Sequence, residues 1–165
     1  MTGPPPATSK DTAPPRGDDL DARGMTIGLA AARFNEAVVE RLAEGAVDAL
    51  LGIGAAREAI DLVWVPGAFE LPVVLERMAA TGRYDALVAL GCVVRGATPH
   101  FDHVAGEASR GAGAVARAHG IPVGFGVLTV DTWDQALERA GGALGNKGAE
   151  AALSAVETVH VVRSL

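Results

Sequence analysis

The sequence predicts an α/β protein built as a doubly wound sandwich: a four-stranded parallel sheet with helices on both faces. Three observations carry this. Short apolar runs of strand length alternate with longer stretches whose apolar residues recur at spacings of three and four. The strand runs are nearly all apolar rather than alternating, as in sheets covered on both faces. The unusual residues gather in the loops that follow the strands, the edge at which such sheets bind ligands.

Residues 1–24 contain five of the nine prolines, Pro4, Pro5, Pro6, Pro14 and Pro15, among Thr, Ser, Asp and Gly. Such a segment buries too little apolar surface to offset its ordering entropy, so a disordered tail is expected, apart from last residues that could lie along a neighbouring subunit. Residues 25–165 form the domain. Met25 to Ala31 reads as the first strand and ends in Arg33-Phe34-Asn35; a helix with the stripe Val39, Leu42, Ala46 and Leu50 follows, closed by Gly52 and Gly54. Ile60 to Val65 is a second apolar strand. It runs into the tight turn Pro66-Gly67-Ala68-Phe69-Glu70 and a helix striped by Leu71, Val74, Leu75 and Met78, with Pro72 tolerated in its first turn.

Ala86 to Leu90 begins the third strand, which passes through Gly91 to Val94 and stops. Gly96 loosens the chain, and Thr98 reads as a helix N-cap with Pro99 at the first helical position. This helix runs to about His119. It contains Gly106, Gly111 and Gly113, each lowering helix propensity by roughly 1 kcal/mol against alanine, which suggests close approach of another backbone, with flexibility as the alternative. Gly120-Ile121-Pro122 turns into a fourth strand, Val123 to Val130. Thr132 and Gln135 form a capping box for a short helix to Arg139 and Ala140, which breaks at Gly141-Gly142. A last helix after Gly145-Asn146-Lys147-Gly148 carries Ala152, Leu153, Val156 and Val159. Right-handed crossovers between parallel strands then give a flavodoxin-like topology.

Composition narrows the function. The residues are 49% hydrophobic but only 4% aromatic, so Ala, Val and Leu must build the core. A net charge of −6 argues against nucleic acid or an anionic membrane as partner. The single Cys92 excludes an internal disulfide and reads as a small buried hydrophobe. No run reaches the roughly 18 apolar residues of a membrane span, and no apolar leader opens the chain, so a cytoplasmic location is expected. His100 and His103 lack a third ligand at suitable spacing, so no metal is expected.

Four loops converge on one edge of the predicted sheet. The loop ending in Thr98 offers free backbone N–H groups and a positive helix end, suited to one phosphate, with Arg95 just before it. It has no GxGxxG or Walker pattern, so a nucleotide is not implied. His100, just inside the helix, carries an imidazole suited to proton transfer; His103 reads as solvent-exposed. Phe34 could stack on a flat heterocycle or fold onto the core. Glu70 could accept hydrogen bonds from ligand hydroxyls or simply favour the helix start. Arg139 and Lys147 read as surface charges unless their region reaches a crevice.

Several blocks resemble the lumazine synthase family in order and spacing: Arg33-Phe34-Asn35, Pro66 to Pro72, Arg95-Gly96-Ala97-Thr98-Pro99-His100-Phe101-Asp102, Gly126-Val127-Leu128-Thr129, Gln135 to Gly141 and Gly145-Asn146-Lys147-Gly148. The resemblance implies condensation of 5-amino-6-(D-ribitylamino)uracil with 3,4-dihydroxy-2-butanone 4-phosphate, without cofactor, in riboflavin biosynthesis. It implies that Phe34 stacks on the pyrimidine, that Ala68, Phe69 and Glu70 hold the ribityl-bearing substrate, and that Cys92, Val93 and Val94 add backbone contacts. Ala97 and Thr98 would bind phosphate with Arg139 from a neighbouring subunit, which would also lend Phe125 and Lys147. His100 would transfer protons. The implied assembly is a homo-oligomer of pentamers, and the short connection from Gly141 to Lys147 resembles the branch that closes sixty-subunit shells; riboflavin synthase is the implied partner. The alternatives are a non-catalytic flavin-binding or shell-forming relative and, from fold alone, an electron carrier, which lacks support because no Ser/Thr-rich loop follows the first strand.

Overall fold

The computed structural model describes residues 19–165. Four parallel strands, β1 (Ile27–Ala32), β2 (Ile60–Val65), β3 (Ala86–Val94) and β4 (Val123–Val130), form one sheet in the order β2-β1-β3-β4. This is the predicted doubly wound α/β sandwich. Helices α1 (Glu36–Gly52) and α5 (Lys147–Ser164) cover one face, and α2 (Leu71–Ala80) and α3 (His100–His119) cover the other. Side chains alternate between the two layers along each inner strand. Ile27, Leu29 and Ala31 of β1 and Val88 and Leu90 of β3 meet α1 and α5; Ala30, Ala32, Leu87 and Ala89 meet α2 and α3. All six residues of β1 are buried.

The strand β2 departs from expectation. It lies at the sheet's edge, and Leu62 and Val63 are exposed despite its nearly continuous apolar sequence. Close helix contacts explain two glycines. A Cβ on Gly148 would collide with the Leu42 backbone carbonyl of α1, and one on Gly111 with the Pro72 ring of α2. Gly106 and Gly113 have no such neighbour: an added Cβ there would meet only Arg110 and Arg117 of their own helix.

The last residues of the expected tail pack against the domain. Leu20 and Ala22 are buried, the Ala22 N–H donates to the Ile53 carbonyl at 2.8 Å, and His160 Nε2 donates to the Asp21 carbonyl at 2.7 Å. Residues 19–24 therefore belong to the packed domain, and the rest of the proposed tail, residues 1–18, lies outside the described residues. Half of the capping box at α4 (Trp133–Arg139) forms: Thr132 Oγ1 accepts from the Gln135 N–H at 3.2 Å, while Gln135 Oε1 accepts from the Asp131 N–H, one residue before the cap, at 2.8 Å. Beyond it, Ala140–Gly142 (β5) and Gly145–Asn146 (β6) pair as a small antiparallel ribbon where sequence showed only a broken helix. Asn146 then caps α5 through Ala149 and ties it to α1 by donating to the Arg41 carbonyl at 2.8 Å.

Candidate active site

The carboxyl ends of β1, β2 and β3 surround an apolar cleft of about 600 Å³, within the range usual for small-molecule sites. The tip of β1 is pinned to that of β2: the Arg33 N–H donates to Val65 O at 2.7 Å and the Phe34 N–H to Pro66 O at 3.0 Å. The chain then turns at Asn35, whose φ of 61° is left-handed, and its Nδ2 donates to the Cys92 carbonyl of β3 at 2.8 Å. The Phe34 ring is left 72% exposed on the cleft wall, so the core-folded alternative does not hold.

After β2, Gly67 is extended and one 3-10 turn, Ala68–Glu70, leads into α2. Ala68 is buried, Phe69 is exposed and Glu70 is half-buried; all three line the cleft. Cys92, Val93 and Val94 supply the floor at the end of β3. Burial pushes the Cys92 thiol up to about 11, so at neutral pH it is protonated and no nucleophile. Thr98, His100 and His103, from the loop after β3 and the start of α3, also line the cleft, and Ala97 is exposed in the same loop without lining it.

Two readings of this loop change. Pro99, with φ −64° and ψ −1°, occupies the cap position of α3, and no side chain closes the helix end, so Thr98 is not a hydrogen-bonding cap. The Asp102 N–H turns back to the Pro99 carbonyl at 3.0 Å. Arg95 is not a free anion ligand either. Its Nε donates to Asp131 Oδ1 at 2.9 Å, its guanidinium lies 3.5 Å from Asp102, and it stacks 4.2 Å over the Phe101 ring. Two carboxylates already balance its charge, and it braces the tips of β3 and β4 against the start of α3.

Phe125, Arg139 and Lys147 come together elsewhere. They line a second recess of about 380 Å³ along β4, with Glu150 and Ser154 of α5. Arg139 Nη1 donates to the Gln135 carbonyl at 3.0 Å and lies 3.6 Å from Glu138; Lys147 Nζ donates to Glu150 at 2.7 Å. Within one chain these residues do not line the cleft that holds Phe34 and His100. Sequence reasoning gave Asn35 no role of its own, although an Asn between a strand and a helix is the residue type that tolerates a left-handed turn.

The family described as 6,7-dimethyl-8-ribityllumazine synthase matches residues 24–163. A relative, the 6,7-dimethyl-8-ribityllumazine synthase of Nitratidesulfovibrio vulgaris (strain DSM 19637 / Miyazaki F), is 52% identical over 146 residues, spanning 88% of this chain and 94% of the relative.

Proposed function

The chain belongs to the 6,7-dimethyl-8-ribityllumazine synthase family, and on that premise we propose how its two recesses divide the reaction. The protein is a transferase of riboflavin biosynthesis: it condenses 5-amino-6-(D-ribitylamino)uracil with 3,4-dihydroxy-2-butanone 4-phosphate to 6,7-dimethyl-8-ribityllumazine, phosphate and water. The observation that carries the proposal is the cleft itself, which an exposed Phe34 ring and His100 both line.

The pyrimidine lies against Phe34, where aromatic stacking suits a flat ring. Ala68, Phe69 and Glu70 hold the ribityl chain, Glu70 accepting from its hydroxyls, and backbone groups of Cys92, Val93 and Val94 read the ring edge. The phosphate sits at Ala97 and Thr98, near the uncapped start of α3, whose unpaired N–H groups favour an anion. Because Arg95 is already paired with Asp131 and Asp102, the fixed positive charge for the leaving phosphate must come from another group. Arg139 of a neighbouring copy supplies it, turning from its 3.6 Å contact with Glu138 to the phosphate, with Phe125 and Lys147 in the same recess.

The chemistry follows. The substrate amine attacks the ketone carbon and a first water leaves to give an imine; the C–O bond to phosphate then breaks by β-elimination, the resulting enol becomes a ketone, and the ribitylamino nitrogen closes the ring on that carbonyl with loss of a second water. Each step moves a proton, which His100 accepts or returns, a role worth roughly 10²–10⁴-fold. Arg139 stabilises the charge that develops on the phosphate oxygens. Holding both substrates in one enclosed site supplies much of the rest.

The protein acts on small molecules, and no helix among the described residues is long and apolar enough to cross a membrane. Pentamers, the sixty-subunit shell favoured by the short connection between α4 and α5, a cytoplasmic location and contact with riboflavin synthase complete the reading. Nothing favours the non-catalytic alternative, since His100, Thr98 and Arg139 are all present. The direct test is to incubate purified protein with both substrates and follow lumazine fluorescence; no product would refute the reading.

A further inference from the structure

Phe34 is unusual among the cleft residues in how little holds it. Its ring is 72% exposed, so burial does not set its direction. That direction is set by the backbone to which it is attached. On one side the Arg33 and Phe34 N–H groups bond to the tip of β2. On the other side stands Asn35, the only non-glycine residue with positive φ among the described residues.

Asn35 makes three connections. Its left-handed backbone turns the chain from strand to helix, a conformation that L residues other than Asn and Asp seldom adopt. Its carbonyl accepts from the Val38 and Val39 N–H groups at 3.0 and 3.2 Å, starting α1. Its side-chain amide reaches across to β3, donating to the Cys92 carbonyl at 2.8 Å. The register of β1 with β3 ends at the pair Ala31 and Leu90, so beyond that point no strand-to-strand bond holds the two tips together. The Asn35 amide extends the pairing by one bond, made from a side chain.

We propose that Asn35 is a positioning residue, whose left-handed turn and amide bond to the Cys92 carbonyl aim the Phe34 ring at the cleft and set the affinity for the flat heterocyclic substrate. The proposal rests on the reading of the cleft given above. It differs from a general structural role because it predicts an effect on one substrate only. Phe34 and Cys92 line the cleft beside the proposed pyrimidine position, and the Asn35 amide bonds to Cys92 rather than to the loop of Thr98.

Three substitutions separate the two parts. Asn35→Gly keeps the left-handed turn and deletes the amide. Asn35→Asp keeps the shape and the tolerance of positive φ, but sets a carboxylate oxygen against the Cys92 carbonyl. Asn35→Ala removes both features. Steady-state kinetics should show KM for the pyrimidine rising roughly tenfold or more in Asn35→Asp and Asn35→Ala and less in Asn35→Gly, with KM for the phosphorylated ketone within about twofold of its starting value. The second readout needs no turnover. With 4-fluorophenylalanine in place of the four phenylalanines, the resonance assigned to Phe34 by its loss in Phe34→Leu should shift and sharpen in all three variants, while that of buried Phe101 stays in place. An unchanged Phe34 resonance with an unchanged pyrimidine KM in Asn35→Asp would overturn the proposal, as would equal rises in both Michaelis constants. If the parent protein formed no lumazine, the function would be wrong, and the fluorine spectra would still decide whether Asn35 aims the ring.

Discussion

Replacing Arg139 with alanine separates a site shared between copies from one contained in a single chain. In one chain the guanidinium is one-third exposed, donates to the Gln135 carbonyl and lies near Glu138, in a recess apart from Thr98 and His100. Its loss leaves no buried charge behind, so folding stability should change little. A charge-assisted contact to the substrate phosphate is worth about 1.5–3 kcal/mol, which corresponds to a rise of about 10- to 150-fold in KM for the phosphorylated ketone. Arg139→Lys should recover only part of this, because an ammonium cannot reproduce the planar fork. Co-expression with His100→Ala subunits gives the decisive measurement. If each site takes His100 from one copy and Arg139 from the next, random mixing in equal amounts restores both groups in roughly one quarter of the sites across a head-to-tail interface. Activity should therefore return toward a quarter of the parent's. An unaltered KM in Arg139→Ala, or mixed assemblies no more active than their two parents, would refute the reasoning.

Other outcomes follow from the same geometry. His100→Ala should lower turnover by about 10²–10⁴-fold while leaving pyrimidine binding, followed by equilibrium titration, nearly unchanged. Gly148→Ala drives a Cβ into the Leu42 carbonyl and should lower unfolding free energy by roughly 1–3 kcal/mol, read as a fall in urea midpoint; Gly52→Ala, with open space around it, is the control that should not lose stability. Burial lifts the Cys92 thiol from its ordinary 9.0 to about 11. Folding therefore favours the protonated thiol, so its contribution is complete below pH 9, where the unfolded thiol begins to ionise, and is lost as pH rises through about 11. A disulfide reagent should accordingly label Cys92 far more slowly in the native protein than in urea at neutral pH.

Much of the architecture was legible because it depends on local pattern. The buried runs of β1 and β3 are apolar at nearly every position, as a strand covered on both faces requires, and their loops carry the polar and aromatic residues. The Thr132–Gln135 cap was readable because its partners are three residues apart. The exposure of β2 was not readable, because an edge strand and a central strand can have the same composition. The contrast between Gly111, which admits Pro72, and Gly106, which meets only Arg110 of its own helix, depends on how α3 is rotated against α2.

The order of elements, the apolar faces and the chemical groups at the strand ends were determined by the sequence alone, since each follows from residue type and spacing within a few positions. Only the tertiary structure decided that Phe34, Glu70, Cys92 and His100 line one cleft while Arg139 and Lys147 line another, and that Arg95 is held by Asp131. Those relations join residues tens of positions apart. Their distances are set by strand register and helix packing, which no local spacing encodes.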